Sequence, residues 1–251
     1  MAEQTHRAWL AEAPFTLALG AGFFGFFAHT GVLLALEEAG LRPRRVTGVS
    51  AGALAGGLWA SGLGARWIAD ELAALRRHDF WDPGAPLLGL LRGRKFAQKL
   101  ASLLDERGVA RVEDCATPFC AVAHDVLAGK PIALDEGSLA AAIQASCTVP
   151  LMFRPRIVGA RLLVDGGVRD RNGEVALAPD ERTMLHALRS RSPWRGLVAG
   201  SRRALDPSPT PTRATLVIPA LPRVSPFRLE EGPRALDMAY RAAKEWLDAP
   251  R

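Results

Sequence analysis

Cysteine is scarce in this chain of 251 residues: Cys115, Cys120 and Cys147 make an odd number with no paired spacing. That argues against a disulfide framework and points to a reducing, cytoplasmic compartment, with the thiols acting as small buried apolar side chains. Aromatic residues are also few, at 7% of the chain, and Lys95, Lys99, Lys130 and Lys244 are the sole lysines among 32 basic residues. The formal net charge of +6 would suit an anionic partner. Yet the arginines are scattered, no basic helix is interleaved with aromatics and no zinc spacing occurs, so nucleic acid is not an expected partner. A basic leader followed by a short apolar stretch and a small-residue cleavage site is also missing, so secretion is not expected.

Charge is absent from Ala13 to Leu36, 24 residues, and again from Val46 to Ala65, 20 residues. Both runs meet the length of a membrane-spanning helix. Their glycines argue otherwise: Gly20, Gly22, Gly25 and Gly31 in the first, with His29 among them, and six in the second suit tight turns and close backbone approach. With 49% hydrophobic residues the chain is long enough for one sizeable core. The expectation is a single domain over residues 13–248, preceded by an N-terminal tail of residues 1–12.

Apolar spacing lays down strands and helices in alternation. Phe15–Leu19 reads as a buried strand ending at Gly20, Thr30–Ala39 as a helix closed by Gly40, Val46–Val49 as a second strand and Ala51–Trp59 as a small-residue helix. Trp67–Arg77 and Lys95–Leu104 have amphipathic helical spacing on either side of the apolar stretch Leu87–Leu91. Phe119–His124, Pro131–Leu134 and Arg161–Val164 read as strands and Leu139–Ser146 as a helix. The Arg-rich stretch around His186 is helix-like, Leu205–Arg213 is a surface loop, Thr215–Ile218 a last strand and Gly232–Asp248 a closing helix. Such alternation predicts an α/β domain.

Two glycine motifs follow the first two strands. Gly48-Val49-Ser50-Ala51-Gly52 is a G-x-S-x-G placed between strand and helix, where a tight turn would lift the serine hydroxyl out of the sheet beside a helix N-terminus. Alone, it also suits a small-residue turn with a surface serine. Gly20-Ala21-Gly22-Phe23-Phe24-Gly25 satisfies G-x-G-x-x-G. The dinucleotide reading fails because the second strand runs through Val46-Thr47-Gly48-Val49 into Ser50 instead of ending in an acidic residue. A loop that cradles an oxyanion with backbone N–H groups needs the same absence of side chains.

A serine nucleophile needs a base, and none of His6, His29, His78, His124 and His186 sits in a telling context. Ser50, Asp165 and His186 fit the chain order of an α/β-hydrolase, but the serine would come after two strands and His186 lies in a helix-like stretch. Asp165 closes an apolar strand and is followed by Gly166 and Gly167. A partly desolvated carboxylate there would have a raised pKa and serve as a base, although the tripeptide alone reads more readily as a turn.

Together these residues resemble the patatin-like phospholipase family. The motifs occur in the family's order over most of the chain: the loop Gly20–Gly25 with His29-Thr30-Gly31-Val32-Leu33, the elbow Gly48–Gly52, Gly89-Leu90-Leu91-Arg92-Gly93, and His124-Asp125-Val126-Leu127-Ala128-Gly129. Ala145-Ser146-Cys147-Thr148-Val149-Pro150, Phe153, Pro155 and Asp165-Gly166-Gly167 follow, and the similarity thins beyond residue 175. The chain departs from the family's pattern at Ala21 and Phe24, where Gly and a basic residue are usual. It has one extra residue between Gly25 and His29, and Asn172-Gly173 where Pro often stands.

The resemblance implies a three-layer α/β/α domain with a mainly parallel central sheet. It implies Ser50 as nucleophile, framed by Gly48, Val49, Ala51 and Gly52, with Asp165 as base before Gly166 and Gly167. The backbone of Gly20, Ala21, Gly22, Phe23, Phe24 and Gly25 would form the oxyanion hole. No metal and no cofactor are needed. The substrate would be a lipid or phospholipid ester, cleaved in phospholipase A or lysophospholipase fashion. Phe23, Phe24, Phe26 and Phe27 would be core packing or part of an acyl pocket, and Arg92, Arg94 and Lys95 a solvated face or a peripheral membrane contact. Competing readings are a catalytically silent lipid-binding or regulatory protein and an acyltransferase on the same scaffold.

Overall fold

The computed structural model describes residues 4–85, 89–189 and 210–251. Helix α1 (His6–Glu12) comes first, then strand β1 (Thr16–Leu19), helix α2 (Phe26–Glu38), strand β2 (Arg45–Val49), and helices α3 (Ala51–Ala60), α4 (Ala65–Ala74) and α5 (Arg94–Asp105). Strands β3 (Phe119–Asp125) and β4 (Lys130–Leu134), helix α6 (Leu139–Ser146), strands β5 (Arg156–Val158), β6 (Arg161–Asp165), β7 (Thr183–Ala187) and β8 (Arg213–Val217), and helix α7 (Gly232–Asp248) complete it.

The eight strands make one sheet in the order β5-β6-β3-β2-β1-β7-β8, with β4 paired to β3. β1, β2, β3, β7 and β8 run parallel, whereas β4, β5 and β6 pair antiparallel. The expected α/β architecture, a mostly parallel central sheet flanked by helices, is therefore present. β1 and β7 are buried at every position, as strands covered on both faces must be, so neither shows the in-and-out alternation of a half-exposed strand. α2 buries every residue from Phe26 to Leu36, and side chains of the size of Phe27, Leu33 and Leu36 each contribute roughly 1.5–3 kcal/mol by leaving water. Gly31 lets α2 lie against α7: a Cβ there would stand 2.3 Å from the Leu236 carbonyl oxygen.

Three expectations are corrected. The described part of segment 1–12 is not a tail, because residues 6–12 form α1, capped by Thr5, whose Oγ1 accepts the Ala8 N–H at 3.2 Å, with Trp9 and Leu10 buried. The stretch holding His186 is strand β7, not helix: a short apolar run carries no period to separate the two, and here the sheet claims it. Cys120 is buried, but Cys115 and Cys147 are partly exposed. Strand β5 was not foreseen, and α2 begins four residues before Thr30 because Phe26 and Phe27 already face the core. Leu87, Leu88 and residues 205–209 of the expected surface loop lie outside the described residues. Among the described residues no helix is long and apolar enough to cross a membrane.

Candidate active site

At the end of β2 the chain turns sharply through Ser50, at φ 54° and ψ −117°, into α3. Two glycines make that turn possible by close approach. A Cβ at Gly52 would stand 2.0 Å from the Leu19 carbonyl oxygen, and one at Gly48 would stand 2.5 Å from the Gly52 carbonyl oxygen. A serine at positive φ costs on the order of 1–3 kcal/mol and persists where its surroundings fix it. Here the Ser50 N–H donates to Ser146 Oγ at 2.8 Å, and that hydroxyl donates to the Val122 carbonyl at 2.6 Å. The Ser50 carbonyl accepts from the Leu54 N–H at 3.0 Å and from the Cys147 thiol at 3.1 Å. The backbone N–H and carbonyl of Ser50 are thus both occupied, which fixes the turn without using its hydroxyl.

That hydroxyl stands beside the carboxylate of Asp165, the last residue of β6, near enough to pull its pKa down. Asp165 is 5% exposed, its Oδ1 accepts the Gly167 N–H at 2.8 Å, and its own N–H donates to the Thr148 carbonyl at 2.8 Å. Burial pushes its carboxyl up to about 6, outweighing the Ser50 hydroxyl, the Gly167 N–H and the Arg171 charge, which pull it down. Such a group is ionised at neutral pH and still basic enough to take a proton from an alcohol. The two glycines after it are dictated by packing: a Cβ at Gly166 would stand 2.3 Å from the Val122 carbonyl oxygen, and one at Gly167 would stand 2.7 Å from Ala21 Cβ. The second contact sets the Asp-Gly-Gly turn against the glycine loop.

Within that loop the N–H groups divide. Those of Gly20, Ala21 and Gly25 donate to the carbonyls of His186 at 3.1 Å, Arg171 at 2.7 Å and Gly22 at 3.0 Å. Among the described residues nothing accepts from the N–H groups of Gly22, Phe23 and Phe24, and all three residues line the same cleft as Ser50. Phe24 is at φ 54°, another non-glycine residue in the left-handed region. Arg171 also holds the Ala21 carbonyl at 3.0 Å. His186, once a conceivable third member beside Ser50 and Asp165, is instead buried beneath the loop and meets His29.

The cleft encloses about 850 Å³, its mouth included. Its walls are almost wholly apolar, among them Leu54 and Leu58 of α3, Leu72 of α4, and Leu100 and Leu103 of α5. Of the aromatic cluster, Phe23, Phe24 and Phe26 line it, while Phe27 is core at 1% exposure. The apolar space is therefore continuous with the serine. Phe23, Leu90 and Leu151 are exposed large hydrophobic residues, and the Leu90 N–H donates to the Leu151 carbonyl at 3.0 Å. Leu151, which lies between the cleft-lining Val149 and Met152, stands at φ 67°. Arg92, Arg94 and Lys95 are exposed beside them. Among the described residues no three His, Cys, Asp or Glu side chains converge as a metal site.

Reading the sequence missed the parts played by Ser146, Cys147 and Arg171. The run Ala145–Val149 was visible as a motif, but a hydroxyl that supports the elbow from another helix has no local signature.

A family model described as patatin-like phospholipase matches residues 17–178. An uncharacterised NTE family protein of Mycobacterium bovis is 39% identical over 157 residues, which are 61% of this chain and 42% of that protein. The neuropathy target esterase sws of Drosophila sechellia is 29% identical over 169 residues, 63% of this chain and 11% of its own length. The match thus spans less than half of either relative. The crystal structure of VipD from Legionella pneumophila aligns over 94% of this chain and 67% of that chain with a TM-score of 0.65 at 14% identity, a likeness of fold alone.

Proposed function

The chain belongs to the patatin-like phospholipase family, and we propose that it is a serine hydrolase of lipid carboxylic esters, of phospholipase A or lysophospholipase type. The observation that carries this reading is the placement of Ser50, at a strained turn, beside a buried carboxylate at the end of an apolar cleft. Ser50 Oγ attacks the ester carbonyl as its proton passes to Asp165, and the carbonyl oxygen becomes an oxyanion facing the N–H groups of Gly22, Phe23 and Phe24. Collapse of the tetrahedral intermediate expels the alcohol, which takes the proton from Asp165, and leaves an acyl-Ser50. Water then gives a proton to Asp165, its oxygen attacks the acyl carbon, and the fatty acid leaves as Ser50 regains its proton.

The acyl chain lies in the cleft, whose almost wholly apolar lining suits it. Phe23, Leu90 and Leu151, with Arg92, Arg94 and Lys95 nearby, meet the surface of an anionic membrane from which the lipid is drawn.

The test is release of p-nitrophenol from esters of increasing chain length, with Ser50→Ala and Asp165→Asn in parallel. Wild-type turnover that rises with chain length and disappears in both variants supports the reading. A folded wild type that neither turns over these esters or lipid vesicles nor forms a fluorophosphonate adduct on Ser50 overturns it.

A further inference from the structure

Beneath the glycine loop two histidines, 157 residues apart in sequence, touch where no solvent reaches. His29, in the first turn of α2, and His186, opposite Leu19 in the β1–β7 pairing, are both 0% exposed. Their Nδ1 atoms are 2.9 Å apart, with the rings 80° from coplanar, and His29 Nε2 is 2.8 Å from the Gly20 carbonyl oxygen. A carbonyl oxygen can only accept, so His29 Nε2 carries a hydrogen. A neutral His29 then has a bare Nδ1, and the hydrogen between the rings sits on His186 Nδ1. His186 Nε2 is left as a buried lone pair with no partner.

Among the described residues no carboxylate meets either ring; the Gly20 carbonyl favours a charged His29, but burial outweighs it. Burial lowers the basicity of both, that of His29 to about 4.

This chain of hydrogen bonds ends on the loop. The Gly20 peptide is held on one side by the His29 ring and on the other by the His186 backbone, and the Ala21 N–H and carbonyl are both held by Arg171. The next three residues are the ones whose N–H groups find no acceptor among the described residues. Building on the hydrolase reading, we infer that His29 is a positioning residue: its neutral ring, with its tautomer fixed by His186, holds the Gly20 peptide and thereby aims the N–H groups of Gly22, Phe23 and Phe24 at the developing oxyanion. A glycine loop has no side chains to stiffen it, and donors must lie within about 3 Å of the charge to act. An orienting group from outside the loop meets that need.

Two measurements test this. Nitrogen-15 NMR of the wild type labelled at histidine reads the tautomers directly, without need of turnover. The hydrogen is expected on Nε2 of His29 and on Nδ1 of His186, with both rings neutral down to pH 5; the opposite tautomers, or a cation at neutral pH, overturn the inference. Kinetics on a soluble ester then compare His29→Leu, which has no donor, with His29→Gln, whose amide nitrogen takes the place of Nε2. Loss of about 100-fold in kcat for His29→Leu with little change in KM, and recovery of most of it by His29→Gln at a similar melting temperature, is the expected pattern. Equal loss in both variants, or kcat per folded molecule unchanged in His29→Leu, overturns it. His186→Leu, which also frees His29 Nδ1, is expected to show a smaller loss of the same kind. A wild type without turnover sinks the hydrolase reading and the positioning role with it, whereas an active wild type with a fully active His29→Leu sinks the positioning role alone.

Discussion

Ser50 and Asp165 meet because β2 and β6 share one edge of β3, end to end. Ala121 and Val122 pair with β2 on one side and β4 on the other, whereas Ala123 pairs with β4 and, on the side β2 has just left, with β6. Val49 lies opposite Val122 and Asp165 opposite Ala123, adjacent positions on one strand. One strand runs with β3 and the other against it, so their carboxyl ends face each other. Ser50 and Asp165 are thus placed by hydrogen-bond register, the most rigid ruler a sheet provides.

Strain at the serine predicts a trade between stability and activity. Ser50→Gly removes the cost of a Cβ at positive φ, so it is expected to raise stability by about 1 kcal/mol while abolishing turnover. Ser50→Ala, which keeps the Cβ, is expected to be inactive without that gain. Thermal unfolding of the three proteins at one pH reads the difference; a glycine variant less stable than the alanine variant would contradict the account.

Asp165 imposes a pH dependence of known sign. Its carboxyl is raised from 3.8 to about 6 on folding, so the folded state keeps a proton that the unfolded chain has released. Stability therefore falls as pH rises across that window, by up to ~3 kcal/mol, and Asp165→Asn removes the loss. The buried His29 acts in the opposite sense, since its lowered basicity takes stability away as pH drops from 6.5 towards 4. Only the difference between wild type and Asp165→Asn isolates the carboxylate: the variant should gain on the wild type between pH 4 and 6 in urea titrations. Activity should rise through an apparent pKa of about 6 in the wild type.

The elbow was legible in the sequence because close contact dictates both of its glycines, and close contact leaves a motif. Asp165 was legible for the same reason, with Gly166 and Gly167 beside it. The division of the glycine loop was not, because it depends on acceptors supplied by Arg171 and His186, far along the chain. β7 was missed because burial on both faces erases the period that separates strand from helix, and α1 because its two buried residues, Trp9 and Leu10, are too few to show a stripe.

Gly52→Ala tests the contact argument. Its Cβ would overlap the Leu19 carbonyl, a backbone atom that cannot swing aside. A loss of about 3 kcal/mol or more is expected, together with loss of fluorophosphonate labelling as the elbow shifts. Stability and labelling equal to wild type would show that α3 can move away from β1 at little cost.

At the rim, Leu90→Ser combined with Leu151→Asn removes two exposed leucines, and asparagine tolerates the left-handed backbone of Leu151. Hydrolysis of anionic vesicles is expected to fall by about tenfold as binding weakens, with soluble short-chain esters unaffected. Equal losses on both substrates would assign these leucines to the fold instead.

The contact between Gly31 and the Leu236 carbonyl reaches into how the protein is made. Synthesis delivers β1, the glycine loop, Ser50 and Asp165 long before α7, yet α2, which carries His29 and follows the loop, reaches its final packing only once α7 lies along it. The helix that carries His29 thus owes its final packing to an element that leaves the ribosome long after Ser50 and Asp165.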